Sequence, residues 1–305
     1  MKRRALIASA GCFLARPAGA QNAQTIKVGA GLIEPQAEAY YAAEMGFFKK
    51  HGLSVQVQTL RNGAAIAAAV AGGELHIGIS NAVQLAQAHA RNLPFVVIAL
   101  GGVHDSRFSK SGLVVALNSP IASAKELNGK VIAVATLNSL DQLAASVLID
   151  KSGGDVSSVK FIEFTPAAAV EAIVQGRIAG ANLEDPEFSA GVGAKKIRSV
   201  GDGENAIGKR WVETAWFTTG DWLAKNKDAA RRFGTAIYEA GAWAMANPEK
   251  AAAILQKVLS IKEDRAEQRF ATRTDLVELQ TILDAAARYK YVQQTSAVVL
   301  LWNGS

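Results

Sequence analysis

Short apolar segments alternate along the chain with longer segments whose apolar residues recur at helical spacing. The clearest strand pattern is at 53–57, where apolar Leu53, Val55 and Val57 alternate with polar residues. Other apolar runs predict strands at 26–30, 75–79, 95–100, 113–117, 131–135, 159–164, 178–183 and 214–219. Because helical segments separate the strands, the pattern predicts an α/β fold built on mainly parallel sheets with helices on both faces.

Capping signals mark where several predicted helices begin and end. Gly52 is predicted to end one helix in the left-handed conformation, and Asn62 is predicted to cap the next. Residues 123–126 and 139–142 have the sequence of capping boxes, in which Ser is followed three residues later by Glu or Gln. The Gly-rich segment 190–208 is predicted to be a loop around one short strand.

The first 20 residues have the pattern of a secretory signal peptide. A basic start precedes a short apolar run at 5–15, and Ala18-Gly19-Ala20 is a small-x-small cleavage site. The run is shorter than the roughly 18 residues that span a bilayer, so the mature chain is predicted to begin at Gln21 in the periplasm. Cys12 faintly resembles a lipoprotein attachment site, but Ser9 replaces the usual large aliphatic residue, so no lipid anchor is expected.

Composition and charge exclude several classes of function. The formal charge of +6 falls to +2 on cleavage, because four of the 33 basic residues and none of the 27 acidic residues lie in the first 20. No run of five basic residues occurs, so no nucleic acid partner is expected. The four histidines lack metal-binding spacing and no nucleotide-binding motif occurs, so neither a metal nor a cofactor is predicted. The length of 305 residues suits two compact lobes.

Four separated segments resemble one group of bacterial transport proteins. They read AEMGFFKKHGL at 43–53, GELHIGIS at 73–80, LNGKVIAV at 127–134 and VEAIVQGRIAGA at 170–181. In order and spacing they resemble the solute-binding proteins of ABC importers for sulfonates, taurine, nitrate and thiamine precursors. His76 stands where that group often has Asp, a departure at a position that reads as structural.

The resemblance implies a type II periplasmic-binding-protein fold, in which two lobes close on a small ligand. Residues 24–113 and 214–305 are then expected to form the first lobe and 114–213 the second, with the ligand cleft between them. The implied protein is a monomer without catalytic activity that delivers a small organic anion or zwitterion to an ABC permease in the inner membrane. The alternative is an enzyme of the same fold, such as a dehydratase or a pyrimidine synthase. The predicted signal peptide disfavours that alternative.

Candidate ligand contacts follow from the rule that ligands of open α/β sheets lie beyond the carboxyl ends of the strands. The candidates are Gln36, Ser80, Asn81, His104, Thr136, Asn138, Ser139, Glu184 and Trp216. The polar residues at 80–81 and 136–139 precede predicted helices, where they either cap the helix or help its N-terminus to bind an anion. Trp216, on the strand expected to return to the first lobe, is placed to stack on a planar ligand.

The charge of the ligand is left open by these residues. Helix N-termini favour an anion, although Asp141 already occupies the favourable position in the first turn of one of these helices. Glu184 favours an ammonium group or a hydroxyl, whereas the neighbouring Asp185 is explained as the cap of a helix that begins at Pro186. A zwitterion would satisfy both kinds of contact.

Overall fold

The computed structural model describes residues 25–260 and 267–304. The predicted signal peptide, its cleavage site and Cys12 lie outside these residues. The strands are β1 Ile26–Ala30, β2 Val55–Thr59, β3 Ile77–Asn81, β4 Phe95–Leu100, β5 Gly102–Asp105, β6 Ser111–Ala116, β7 Val131–Val134, β8 Lys160–Glu163, β9 Gly180–Glu184, β10 Ile197–Gly201, β11 Arg210–Val212, β12 Thr214–Thr219 and β13 Arg269–Phe270. The helices are α1 Glu38–Glu44, α2 Phe47–Lys50, α3 Gly63–Ala71, α4 Ala82–Ala90, α5 Leu140–Lys151, α6 Pro166–Val174, α7 Glu187–Gly193, α8 Gly203–Ile207, α9 Gly220–Lys225, α10 Lys227–Ala246, α11 Pro248–Leu259, α12 Leu276–Arg288 and α13 Ala297–Leu300.

The first sheet has the strand order β2-β1-β3-β12-β4. Strand β1 pairs in parallel with β2 and β3, and β12 runs antiparallel to both of its neighbours. The small residues of α3 bring this helix close to the sheet, since a Cβ at Gly78 would lie 2.5 Å from the side chain of Ile66. On α10, Phe233 stacks on Phe48 and meets Trp216 edge-on, which closes the core of this sheet.

The second sheet has the strand order β10-β6-β9-β7-β8. Strand β7 pairs in parallel with β8 and β9, whereas β6 runs antiparallel to β9 and β10. One apolar cluster includes Ile173 of α6 and another includes Ile149 of α5, so the sheet carries a helix on each face. The predicted fold of two mainly parallel sheets flanked by helices is confirmed.

A third, small sheet lies where the chain passes from one large sheet to the other. Strand β5 follows β4 and leads to β6, and β11 follows α8 and leads back to β12. The sheet has the order β11-β5-β13, so β5 and β11 are neighbours, and they pair antiparallel. Trp211 of β11 lies opposite His104 of β5. Both crossings therefore run side by side, so side chains from both large sheets converge there.

The prediction for 190–208 is confirmed for its short strand and wrong for the loop around that strand. The segment contains the end of α7, strand β10 and the short helix α8. Asp202 caps α8 by accepting a hydrogen bond from Asn205 N at 2.9 Å. Gly203, one of the glycines that suggested a loop, allows close packing instead, because a Cβ there would lie 2.5 Å from the carbonyl oxygen of Ala144.

The predicted capping signals are confirmed only in part. Asn62 caps α3 by accepting from Ala65 N, and Gly52 has a left-handed φ of 66°. The box at 139–142 does not form as predicted, because the Ser139 hydroxyl donates to the carbonyl of Thr136 at 2.6 Å. In the part of the chain that the structure describes, no helix is long and apolar enough to cross a membrane.

Candidate functional site: an acidic cluster at the strand crossings

Five titratable side chains come together where the chain crosses between the two large sheets. They are His104 of β5, Asp141 in the first turn of α5, Glu184 at the end of β9, Glu204 of α8 and Glu213 between β11 and β12. We refer to these five residues as the acidic cluster. Four carboxyl groups thus share the space around a single imidazole.

The imidazole of His104 is held in one orientation. It is buried and stacks on Trp211 with the ring centroids 5.0 Å apart. Its Nε2 donates to Asn205 Oδ1 at 2.9 Å, and its Nδ1 lies 3.3 Å from Glu204 Oε2. Burial by itself lowers the pKa of His104, but the hydrogen bond and negative charge of Glu204 outweigh it and raise the pKa above its usual value.

Glu213 is the second carboxyl group near the imidazole, and its negative charge also raises the pKa of His104. Its Oε2 accepts a hydrogen bond from Gln268 Nε2 at 3.2 Å. Burial, helped by the negative charge of Glu204, raises its pKa to about 8. One atom each of His104, Glu204 and Glu213 lie within 4.8 Å of one another, which is a spacing at which three side chains can hold a metal ion.

Glu184 and Asp141 complete the cluster. The negative charge of Glu204 is the largest cause that raises the pKa of Glu184 well above its usual value, and burial, Asp141 and Glu213 add to it. Burial, followed by the charge of Glu204, raises the pKa of Asp141 to about 6. Glu184 is nevertheless exposed to solvent at the end of its strand, so it is the member of the cluster that a solute can reach directly.

A buried amide without a partner lies beside the cluster. Asn182 is only 5% exposed, and neither its amide nitrogen nor its amide oxygen has a hydrogen-bond partner. It precedes Glu184 by two residues on β9, so both side chains project from the same face of the sheet. Since a buried amide without a partner costs about 1 to 3 kcal/mol, Asn182 is a polar group available to a bound solute.

The predicted contacts in the first sheet already bond within the protein. Gln36 Oε1 accepts from Gly31 N at 2.9 Å, and the Ser80 hydroxyl donates to Gln84 Oε1 at 2.8 Å. Asn81 caps α4 through a bond from Gln84 N, also 2.8 Å long. The capping interpretation of Asn81 is therefore confirmed, and the structure does not bring these three side chains into the acidic cluster.

Thr136, Asn138 and Ser139 form the loop between β7 and α5. Asn138 has a left-handed φ of 55°, and its carbonyl accepts from Gln87 Nε2 at 3.3 Å. This bond joins the loop to α4, which packs on the first sheet. The loop thus contacts a helix of the first sheet, and Asp141 lies in the first turn of the adjoining helix α5.

Trp216 does not face a cleft. Its side chain has no exposed surface and meets Phe233 in the core of the first sheet at a centroid distance of 5.4 Å. The reason is the position of β12, which lies between β3 and β4 in the middle of the sheet with helices on both faces. Stacking of Trp216 on a ligand does not fit this arrangement.

Comparison with known proteins identifies the family. The profile described as NMT1/THI5 like matches residues 35–251, which is more than two thirds of the chain. The chain belongs to the NMT1/THI5-like family. A protein of Brucella abortus named as a binding protein is 26% identical over 231 residues, which cover 74% of this chain and 68% of that protein. The taurine-binding periplasmic protein of Escherichia coli is 25% identical over 209 residues, which cover 68% of this chain and 62% of that protein.

Solved structures show that the NMT1/THI5-like chain shares its fold with binding proteins and with an enzyme. The periplasmic aliphatic sulphonate-binding protein SsuA of Escherichia coli superposes with a TM-score of 0.74 at 17% identity, covering 92% of both chains. The desulfurization enzyme DszB superposes with a TM-score of 0.67 at 13% identity, covering 90% of this chain and 95% of its own. These similarities establish the fold alone.

Sequence reasoning on this NMT1/THI5-like chain missed three of the cluster residues. Glu204 lies in the segment predicted as a loop, and Glu213 follows a strand too short to be recognised by its pattern. Asp141 was considered only as an obstacle to anion binding. The local signal for α8 is its capping residue, Asp202, followed by Gly203. Helix α8 in turn positions Glu204.

A cavity of about 740 Å³ lies elsewhere on the NMT1/THI5-like chain. It is lined by Gln87 of α4, by Arg91 just after that helix, by Asn138, and by residues 290–294. None of the acidic cluster residues lines it. The concentrated charge of the acidic cluster is at the strand crossings, so that is where we place the candidate site.

Replacing Gly203 by Ala tests how Glu204 is positioned. The new Cβ would lie 2.5 Å from the carbonyl oxygen of Ala144 in α5, so α8 must move away from α5. We expect Gly203→Ala to destabilise the protein by about 1 to 3 kcal/mol, measured by urea unfolding. Gly193→Ala is the control, because a Cβ there meets nothing within 4 Å. Equal stability of the two variants would contradict the close packing.

Proposed function

We propose that this protein is an exported, monomeric solute receptor that delivers a small solute carrying a positively charged group to an ABC importer. The observation that carries the proposal is the acidic cluster, in which Glu184 is exposed and its charged neighbours Glu204, Asp141 and Glu213 are acids. A positively charged group in this space relieves the repulsion among the carboxylates, whereas a purely anionic solute increases it.

Family membership and fold support the receptor part of the proposal. The relatives include a periplasmic taurine-binding protein and a fold neighbour that binds aliphatic sulphonates. The chain has two sheets joined by paired crossings, an arrangement that allows two lobes to close on a solute. We assign 24–113 and 214–305 to one lobe and 114–213 to the other, and the permease would recognise the closed form.

The charge of the cluster selects among the solutes that the resemblance implies. A taurine-like aminosulfonate or an aminopyrimidine of the thiamine-precursor type has a basic group to place beside Glu184. Nitrate and simple alkyl sulfonates lack such a group. The sequence-based expectation was an organic anion or a zwitterion; the proposal keeps the zwitterion, drops the anion and adds a cation.

A thermal-shift screen of residues 21–305 tests the proposal. The panel pairs each amino compound with its deaminated analogue: taurine with ethanesulfonate, and aminopyrimidines with pyrimidines, with nitrate added. A ligand at a hundred times its dissociation constant adds about 2.7 kcal/mol, which raises the melting temperature of a chain of this size by about 5 °C. We expect shifts only with the basic members. Shifts with the deaminated members alone would contradict the assignment of charge.

An enzyme on the same fold is the second candidate. It is favoured by the raised pKa values of Asp141 and Glu213, about 6 and about 8, since groups that titrate near neutral pH serve in acid–base catalysis. It is also favoured by the shared fold of DszB. Each compound that shifts the melting temperature is incubated with the protein and followed by mass spectrometry. Recovery of the unchanged compound supports the receptor, and product that accumulates with many turnovers supports the enzyme.

A further inference from the structure

The contact between His104 and Glu204 can be bridged by a proton on the imidazole or by a metal ion that takes the place of that proton. Because Nε2 of His104 donates to Asn205 Oδ1, Nε2 carries a hydrogen, and a neutral imidazole then has a lone pair on Nδ1. That lone pair faces Glu204 Oε2, another acceptor, at 3.3 Å. Two acceptors at this distance repel each other unless a proton or a metal ion lies between them.

Glu213 supplies a third ligand atom on the same side. The three atoms lie within 4.8 Å of one another, compared with about 3.4 Å for ligands of a tetrahedral zinc ion with bonds of about 2.1 Å. Small side-chain rotations close the difference. One imidazole nitrogen and two carboxylate oxygens are a ligand set that suits zinc and neighbouring divalent transition metals, and it leaves a fourth position open.

Neighbouring residues hold these ligands in place, as the outer hydrogen-bond partners of ligands do in known metal sites. Asn205 accepts from the outer nitrogen of His104, and Gln268 donates to one carboxylate oxygen of Glu213, which leaves the other oxygen free. Trp211 donates to the carbonyl of Glu204 at 3.1 Å and stacks on the imidazole. The three ligands come from β5, α8 and the segment before β12, and the side chains of His104 and Glu213 each have an outer hydrogen-bond partner.

An independent feature also indicates a bound group at this place. Asn182 is 5% exposed, both of its amide atoms lack partners, and it projects from the same face of β9 as Glu184. Glu184 itself lies against Glu204. A metal ion at Glu204, together with the water or solute that fills its open position, supplies the polar contacts that this side of the cluster lacks.

We propose that His104, Glu204 and Glu213 bind one divalent transition-metal ion, with the open coordination position directed toward the solute. This inference rests on the proposed function, because the ion lies in the solute site. The divalent ion adds two positive charges beside the carboxylate of Glu184. Positive and negative charge then lie within a few ångströms of each other. A zwitterionic solute meets an acid at its ammonium group and the metal at its anionic group.

Metal titration of the full mature chain tests the site. The protein is stripped with a chelator, desalted, and titrated separately with Zn²⁺, Mn²⁺ and Co²⁺ by calorimetry, and Co²⁺ binding is also followed by visible absorption. We expect one equivalent of Zn²⁺ with a dissociation constant below about 10 μM, and a Co²⁺ spectrum typical of four or five ligands. His104→Gln and Glu213→Gln should each weaken binding at least a hundredfold, and circular dichroism checks that both variants are folded.

His51→Gln is the matched control. His51 Nε2 lies 2.8 Å from Glu239 Oε2, so it forms a second His–Glu pair, but one at the protein surface beside Lys50. This variant should bind metal as the wild type does. Absence of saturable binding, or equal binding by wild type, His104→Gln and Glu213→Gln, would overturn the proposal.

The outcomes separate the metal site from the receptor function. The solute screen is run both with chelator and with one equivalent of metal. If solutes bind the metal-free protein and no metal binds, the receptor proposal stands and the metal site fails. If metal binds as expected and no solute shifts the melting temperature in either condition, the metal site stands and the receptor proposal fails.

Discussion

Between pH 5 and pH 7 the protein is expected to lose about 2 to 3 kcal/mol of stability because of Glu38 alone. Glu38 begins α1, has no exposed surface, and neither of its carboxyl oxygens has a hydrogen-bond partner. Burial raises its pKa from 4.5 to about 8. The indole N–H of Trp216 is near enough to favour the carboxylate slightly, yet it forms no hydrogen bond of normal geometry.

The direction of this effect follows from where the proton is bound. Between pH 4.5 and pH 8 the folded protein keeps the Glu38 proton, whereas the unfolded chain has released it. Folding therefore takes up a proton, and stability falls as the pH rises through this window. The stabilisation that comes from the proton on Glu38 is complete below pH 4.5 and is lost above pH 8.

Urea unfolding at several pH values, compared between variants, isolates the contribution of Glu38. Glu38→Gln removes the titrating group and keeps the shape of the side chain, so its free energy of unfolding should fall less steeply with pH than that of the wild type. Glu74→Gln is the control, because Glu74 is exposed and should leave the slope unchanged. A Glu38→Gln variant with the slope of the wild type would show that Glu38 is not the proton-binding group.

Glu184→Gln is expected to weaken solute binding at least thirtyfold while leaving the protein as stable as before or more stable. Binding weakens because the partner of the solute's cationic group is lost, which costs about 2 kcal/mol or more when the pair is desolvated. Stability does not fall, because the substitution removes one of the mutually repelling carboxylates that raise the pKa of Glu184. Opposite effects on affinity and stability are typical of residues kept for function.

Calorimetry with the best basic solute and thermal unfolding without solute measure the two effects. Glu171→Gln is the matched control, since Glu171 is on α6 beside the same sheet but forms an exposed pair with Lys196. It should change neither affinity nor stability by more than a few tenths of a kcal/mol. Unchanged affinity in Glu184→Gln would remove Glu184 from the site, and a large loss of stability would show that its role is structural.

The sequence predicts the sheets well because their signals are local. Strand β4 at Phe95–Leu100 has the predicted bounds, and helix α3 begins at its predicted cap. Helix α8 was missed because its five residues include Gly203, and the glycine is there to allow contact with α5, a segment far away in the sequence. Helix propensity cannot predict such a contact.

Within the candidate site, the sequence predicts only those residues that follow long strands. His104 and Glu184 were identified because each stands at or just beyond the end of an apolar run, and both belong to the acidic cluster. Glu204 and Glu213 become neighbours of His104 only through the pairing of β5 with β11, which has no short-range signal. Trp216 was misplaced because its strand was recognised but its central position in the sheet was not.

The pairing of the two crossing strands has a consequence for how solute binding and lobe closure are connected. His104 and Glu213 lie on the crossings, whereas Glu184 ends a strand of the second sheet and Asp141 lies in the first turn of α5, which packs on that sheet. A change in the angle between the sheets therefore changes the distances between these charges, and with them the electrostatic free energy of the cluster. Without a cation the repulsion favours the wider angle. Under the proposed function, a bound cation reverses this preference, and the same electrostatic free energy then selects the solute and favours the closed form.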